Sequence, residues 1–463
     1  MTPFQVDDIR WNDRLIRKYD IQGPRYTSYP TAVQFHDIDR EDVERHYAEL
    51  TGRQDPLSLY IHIPFCRHLC YYCACTKVLA KNRDRADDYL ARLGTEMALS
   101  ARHFGTRPIT QLHLGGGTPT FLTTNQMTRM LDWLEIYFNW DPTNPEGEYS
   151  IELDPRETSA DMLSLLRHRG FNRVSFGIQD FNEATQIAVH RVQPRELVEP
   201  LVRQAQDLAF DSINFDLIYG LPYQTLTTLE DTLDTVLDLG PDRISFYNYA
   251  HLPDRFPSQK RIAAHALPGP EDKLDLMRYG IERLQQAGYR YIGMDHFART
   301  DDTLSQALAE GTLQRNFQGY STQAETDMLA LGMSGISQIG GAFLQNTADL
   351  DTYESQLDNG HYATHRGFWL SDDDTLRRDA ISRLACQGRL DLDDLGQRHN
   401  IVGPDYFASE WDRMQAFEAD GLVTLDNHTI NVTATGRLLL RPILMAFDAY
   451  LGDVPTSRFS KVL

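Results

Sequence analysis

The sequence predicts an α/β protein built on a parallel sheet, and three observations carry that prediction. Six short apolar runs, each closing on glycine or polar residues, read as buried strands: PLSLYIHIPF (56–65), QLHLGGG (111–117), YSIELDP (149–155), RVSFGIQDF (173–181), SINFDLIYGLP (212–222) and RISFYNYA (243–250). Between them lie stretches of helical period, among them DDYLARLGTEMALSARHF, NQMTRMLDWLEIYF, LVEPLVRQAQDLAF and TLEDTLDTVLDLG. Strand and helix alternate at roughly 25–50 residues per unit, the rhythm of successive βαβ units. Six units fall short of an eight-stranded barrel, which leaves a partial barrel or an open sheet. Either form gathers its polar loops at the carboxyl ends of the strands, where such folds place their chemistry. Thr124 and Thr158 or Ser159 are candidate helix starts, and Gly170 and Gly240 candidate stops.

The flanks differ from this middle. Residues 1–50 form an N-terminal arm containing GPRYTSYPTA (23–32), and residues 51–365 hold the strand–helix units and their extension. In 366–463 the rhythm gives way to helices (DTLRRDAISRLACQG, PDYFASEWDRMQAFEADG), a hairpin-like LVTLDNHTINVT and a last helix. That order suggests a winged helix, a shape often used on DNA. Residues 367–463, however, carry ten Lys/Arg against fifteen Asp/Glu, and the whole chain has a formal charge of −21. Nucleic acid is therefore not the expected partner, and this mainly helical domain is expected to pack on protein or cover substrate. An anionic small molecule would need a local basic pocket. No run approaches the roughly 18 apolar residues of a membrane span, and MTPFQVDDIRWNDR lacks the signature of a secretory signal. Five cysteines in so long a chain, four of them crowded together, do not suggest disulfides. A reducing cytoplasm is the expected compartment.

The crowded cysteines lie in FCRHLCYYCACT (65–76), in the loop after the first strand. Structural zinc usually takes two separated pairs of ligands, and no distant CxxC supplies a second pair. A thioredoxin-type pair from Cys70 and Cys73 would leave Cys66 and Cys75 unexplained. Closely spaced thiolates suit an iron–sulfur cluster. Cys386 stands far off in the C-terminal region and reads as a core residue.

The spacing C-x3-C-x2-C resembles the signature of the radical S-adenosylmethionine enzymes. That resemblance implies a [4Fe–4S] cluster held by Cys66, Cys70 and Cys73, with the fourth iron open to S-adenosylmethionine. Cys75 is then surplus: a fourth ligand in the absence of S-adenosylmethionine, a neighbour of the cluster or a small buried residue, but not a permanent ligand, which would close the open iron. GGGTPT (115–120) resembles the loop that meets the methionine amino group in these enzymes. With GPRYTSYPT, the C-x-C ending, IELDPRE (151–157), GIQDFN (177–182), DLIYGLP (216–222), NYAHLP (248–253), GMDHFAR (293–299) and RNFQGYSTQ (315–323), essentially the entire chain resembles the oxygen-independent coproporphyrinogen III oxidases, or dehydrogenases. Two departures stand near the cluster: Tyr72 where the family often has Phe, and Ala74 where it often has Gly.

The resemblance implies a partial (β/α)6 barrel, a small helical C-terminal domain, an arm near the substrate, two S-adenosylmethionine molecules in one site, and a monomer. Tyr60, Gly116, Glu152 and Ile336 would contact the cluster-bound molecule. Tyr72, Gly117, Thr118, Gln179, Arg191, Asp216 and Ala250 would contact the second. The implied reaction turns two propionates of coproporphyrinogen III into vinyl groups, giving protoporphyrinogen IX with loss of carbon dioxide and two electrons each time. An electron donor and an electron acceptor, both unidentified, complete it. Arginine forks suit the substrate's four carboxylates, and Arg25, Arg299 and Arg315 are the candidates. Phe317 and Gln318 are expected to shape the site, and His296 to donate a hydrogen bond or serve as a satisfied structural histidine. The rival is a haem-binding chaperone of the same fold without decarboxylase activity; such relatives typically lack the C-x-C ending and the RYTSYPT arm, which this chain has.

Overall fold

The computed structural model describes residues 9–317, 319–323 and 326–451. Two compact units divide the chain: His36–Arg283 with Thr326–Phe368, and Met1–Phe35 with Leu284–Glu325 and Trp369–Leu463.

The first unit is a sheet of parallel strands with helices between them. Its strands are β1 (Leu57–Ile63), β2 (Pro108–Gly116), β3 (Glu148–Leu153), β4 (Arg173–Gln179), β5 (Ser212–Tyr219), β6 (Arg243–Asn248) and β7 (Asp327–Leu331). They pair in the order β7-β1-β2-β3-β4-β5-β6, all parallel. The first six are the expected strands. The seventh, which continues the sheet beyond β1, is an addition to them. Antiparallel strands Ile336–Ile339, Ala342–Asn346, Thr364–Trp369 and His36–Asp37 follow it outward.

Burial explains why these runs are strands. Leu57, Leu59, Ile61 and Ile63 are fully buried, and so β1 reads as the near-continuous apolar run of a two-sided sheet. Helix Arg85–Phe104 buries Tyr89, Leu90, Leu93, Met97 and Phe104, the one-sided apolar stripe of a helix laid on a sheet. Helix Thr124–Tyr137 begins where expected, behind a capping box of Thr123 and Gln126. Ser159 caps the next helix, and Gly240 ends helix Leu226–Leu239.

The second unit carries helix Asp13–Tyr19, hairpins Tyr289–Gly293/His296–Arg299 and Gln314–Asn316/Gly319–Ser321, and the helical C-terminal region. The expected hairpin appears as Val423–Asp426 and Thr429–Val432, turned by left-handed Asn427 and His428. A short third strand, Arg389–Asp391, pairs with its second arm. Cys386 is 2% exposed. The units draw limits other than 1–50, 51–365 and 366–463. His36 and Asp37 pair with Gly367 and Arg366, which keeps 36–50 with the parallel sheet, while 284–325 group with the C-terminal segment.

Candidate active site

The loop after β1 is fastened at several points. Phe65 and Cys66 pair with Val78 and Leu79, the Tyr71 amide donates to Val189 O (2.9 Å), and Lys77 Nζ donates to the carbonyls of Cys73 and Cys75 (3.2 Å each). Tyr71 also stacks on His190 at 5.0 Å. Within this frame Cys66 and Cys70 are buried, Cys73 is half-buried and Cys75 is exposed. Among the described residues no three His, Cys, Asp or Glu side chains meet as ligands of a single ion. A four-iron cluster bonds each thiolate to a different iron, so its ligands stand apart.

The surroundings of the thiols suit such a cluster. Cys70 Sγ accepts from Arg156 Nη2 (3.3 Å) and Arg191 Nη1 (3.4 Å), two guanidinium groups. A hydrogen bond with Cys75 outweighs burial and, with Lys77, brings Cys73 down to about 6; the same bond pushes Cys75 up. Burial pushes Cys66 up to about 12 against its hydrogen bond with Thr118 Oγ1 at 3.4 Å. A thiol so protonated must lose its proton before it can bind iron.

Both guanidinium groups are anchored on Asp154, whose Oδ2 accepts from Arg156 Nη2 (2.6 Å) and Arg191 Nη1 (3.0 Å). Burial would raise this carboxyl, but Arg191 and Arg156 overcome it and hold Asp154 well below the usual carboxylate range. Arg191 Nη2 also donates to Gly177 O at 2.7 Å. A side chain at Gly177 would stand 2.8 Å from Arg191 Nη2 and 3.0 Å from Gln179 Nε2. Its absence lets both groups cross β4. Gln179 itself sits in the left-handed region (φ 67°), where the register of β4 against β5 slips.

A second network spans β1, β2 and β3. Tyr60 stacks on His113 (5.8 Å, 16°) and meets His62 Nδ1 through its hydroxyl (3.0 Å). His113 Nε2 lies 3.5 Å from Glu152 Oε1, and the Gly116 amide donates to Glu152 Oε2 at 3.2 Å. Burial raises Glu152, yet His113 and the amide outweigh it and the pKa falls. Ile336 opens the strand beyond β7; its neighbour Ser337 bonds Ala330, the register partner of Tyr60. A Cβ at Gly117 would run into the Pro64 carbonyl oxygen, a backbone atom that cannot swing aside. Gly117→Ala should therefore cost roughly 1–3 kcal/mol, read as a lower denaturant midpoint, whereas an unchanged midpoint would mean the loop relaxes freely.

Asp216 on β5 accepts from Ser175 Oγ (2.9 Å) and Asn214 Nδ2 (3.0 Å). Burial and the Glu152 charge push it up to about 6, against those hydrogen bonds. Gln259 Nε2 ties Tyr72 O (2.9 Å) to Ala250 O (3.3 Å), and the Tyr72 ring packs against Val189, Leu221, Tyr249 and Ile262. The first unit thus brings the carboxyl ends of its strands, with Tyr60, Gly116, Glu152, Gln179 and Ala250, into the neighbourhood of the cysteine loop.

The other candidates lie in the second unit. Arg299 is half exposed, 3.5 Å from Asp301. Arg315 stacks over Tyr320, its Cζ 5.0 Å from the ring centre. His296 bonds Met294 O through Nδ1 (2.9 Å), and burial and Arg315 lower it to about 4, so its ring is neutral at pH 7. Arg25 is half-buried. Phe317 stands at the tip of the Gln314–Ser321 hairpin, and Gln318 lies outside the described residues. Sequence reasoning passed over His62, His113, Asp154, Arg156 and Gly177. His62 alternates with Tyr60 on one strand face and Asp154-x-Arg156 is a charge pair in IELDPRE, so both left a faint signal.

Comparison with known proteins extends this picture. Residues 60–236 match the radical SAM superfamily. The oxygen-independent coproporphyrinogen III oxidase of Pseudomonas aeruginosa is 48% identical over 460 residues, covering 99% of this chain and 100% of that protein. The Escherichia coli protein of the same name is 46% identical over 462 residues, 99% and 100% of the two chains. A solved structure of coproporphyrinogen III oxidase (HemN) from Escherichia coli, described as a radical SAM enzyme, superposes with a TM-score of 0.90 at 44% identity, over 96% of this chain and 100% of that one.

Proposed function

The chain belongs to the oxygen-independent coproporphyrinogen III oxidase family, and from that premise we propose that it oxidatively decarboxylates two propionates of coproporphyrinogen III to vinyl groups without oxygen. The observation that carries the proposal is the thiol loop itself: Cys70 faces two guanidinium donors while Cys66 and Cys73 flank it at the mouth of β1. Cys66, Cys70 and Cys73 would hold a [4Fe–4S] cluster, which would supply the one-electron reduction of S-adenosylmethionine needed for radical chemistry at an unactivated carbon.

The protein's own residues bind and orient. Glu152, held as a carboxylate by His113 and the Gly116 amide, accepts hydrogen bonds from a ribose diol, with Tyr60, Gly116 and Ile336 beside it. Gln179, Arg191, Asp216, Tyr72, Gly117, Thr118 and Ala250 receive the second S-adenosylmethionine. Arg191 also keeps Cys70 in a cationic setting, and the apolar packing of Tyr72 excludes water. Arg25, Arg299 and Arg315 meet substrate carboxylates, and Phe317 and Gln318 shape their approach. A cytoplasmic monomer served by a separate electron donor and acceptor completes the proposal; no helix of the described residues is long and apolar enough to cross a membrane.

The test is an anaerobic turnover of reconstituted protein with reductant, S-adenosylmethionine and coproporphyrinogen III, with both products separated by chromatography. Protoporphyrinogen IX and 5′-deoxyadenosine should appear together and vanish in Cys66→Ala, Cys70→Ala and Cys73→Ala. Deoxyadenosine without protoporphyrinogen would point to another substrate.

A further inference from the structure

The second unit holds guanidinium groups whose charge exceeds their protein partners. Arg437 and Arg441 are each only 8% exposed. Arg437 Nη2 donates to Tyr291 O (2.7 Å) and Ile292 O (3.0 Å), but among the described residues its buried Nη1 has no partner. Arg315 has two such atoms, Nε and Nη1, although its face is covered by Tyr320. Arg441 finds one carboxylate, Asp295, with Nη2 3.2 Å from Oδ2. Arg25 and Arg315 lie close enough to repel the Arg441 charge.

A buried N–H of a cation without an acceptor costs more than an ordinary lost hydrogen bond, and an uncompensated buried charge costs more still. Among the described residues, the single carboxylate of Asp295 pairs with Arg441 and does not also balance the nearby Arg25 and Arg315. Burial and Arg290 lower Arg437, whereas burial, Arg25 and Arg315 lower Arg441. The supporting backbone is strained: Met294 and Asp295, at the turn that presents Asp295, are both left-handed (φ 40° and 78°). Such strain persists where the surroundings hold it in place, and it clusters at ligand sites.

We propose that Arg315, Arg437 and Arg441 form a cradle for a carboxylate ligand, with the open N–H groups of Arg315 and Arg437 donating to its oxygens. The planar forks select a carboxylate over a spherical anion. Two sources share that chemistry, a propionate of the tetrapyrrole and a small free carboxylate. The first rests on the function proposed above and adds Arg437 and Arg441 to the substrate contacts; Asp295 then orients Arg441.

The full-length protein with its reconstituted cluster is titrated anaerobically with coproporphyrin III, the oxidised and unreactive form of the substrate, and its melting midpoint is recorded with and without succinate. Arg315→Gln and Arg441→Gln should each weaken porphyrin binding on the order of tenfold, with cluster absorbance and S-adenosylmethionine affinity unchanged. Arg315→Lys, which keeps the charge but not the fork, should recover only part of the loss. If porphyrin affinity is unchanged but succinate raises the parental midpoint and not those of the variants, the cradle serves a small free carboxylate. If both arms are unchanged by the substitutions, the proposal is overturned. A parent that binds no porphyrin defeats the proposed substrate, and the succinate arm then decides the cradle by itself. Arg437 is left intact in these tests because it also caps two strand carbonyls.

Discussion

Arg107→Met lowers the stability of the parallel-sheet unit by roughly 3 kcal/mol or more. Arg107 is fully buried just before β2 and bonds the amino ends of β1, the adjacent strand, and β7, one strand further along the sheet. Its Nη1 donates to Asp327 Oδ2 on β7 (3.0 Å), Nε to Asp55 O (2.8 Å) and Nη2 to Pro56 O (3.0 Å), with an ion pair to Asp55 besides. Removing the guanidinium strands two carbonyls and leaves Asp327 with Arg53 Nη1 at 3.4 Å as its cation. Methionine keeps the volume, so the loss reports the polar contacts rather than a cavity. Arg107→Lys should recover less than half, because one ammonium cannot reach every acceptor. Urea unfolding followed by circular dichroism measures it, and an unshifted midpoint would refute the clamp. The effect reaches the candidate site through register: β7, β1 and β2 carry Ala330, Tyr60 and His113 side by side.

Asp216→Asn acts in the opposite direction, stabilising the apoprotein while impairing the site. The folded protein raises this carboxyl from 3.8 to about 6, through burial and the Glu152 charge. Between those values the native state binds more protons than the unfolded one, so stability falls as pH rises through the window. Above it the full penalty remains, up to about 3 kcal/mol. Asparagine carries no such penalty. The gap between variant and parent should therefore widen from pH 5 to pH 8 in denaturant midpoints. S-adenosylmethionine stoichiometry should fall in the same variant if Asp216 receives the second molecule. A pH-independent gap would show that Asp216 is not ionised at a cost.

The cysteine loop and the six strands were legible because their signals are local. Thiol spacing lies within ten residues, and each apolar run ends on a turn that breaks it. β7 was missed for the converse reason: DMLAL has five residues, no alternation, and follows polar sequence, so nothing nearby distinguishes it from a helix fragment. Asp154 and Arg191 are 37 residues apart, and only the pairing of β3 with β4 brings them together. The left-handed Gln179 has no sequence mark, since nothing in GIQDFN demands it. Arg437 and Arg441 sit in GRLLLRP, which reads as the edge of a helix; their burial depends on the Tyr289–Arg299 hairpin. Arg25, Arg299 and Arg315 were singled out by chemistry alone, and the structure gives them different settings: Arg299 half exposed with an aspartate nearby, Arg315 against Tyr320 with unpartnered nitrogens.

The sheet's strand order also sets a timetable. β1 leaves the ribosome early, but β7, which pairs along its other edge, is made only after β6 and the 284–325 segment. At about 5–20 residues per second, the edge of β1 waits on the order of 10–50 s for its partner. During that interval the thiol loop hangs from a strand with one side unclosed. Only faster elongation between β1 and β7 shortens that interval.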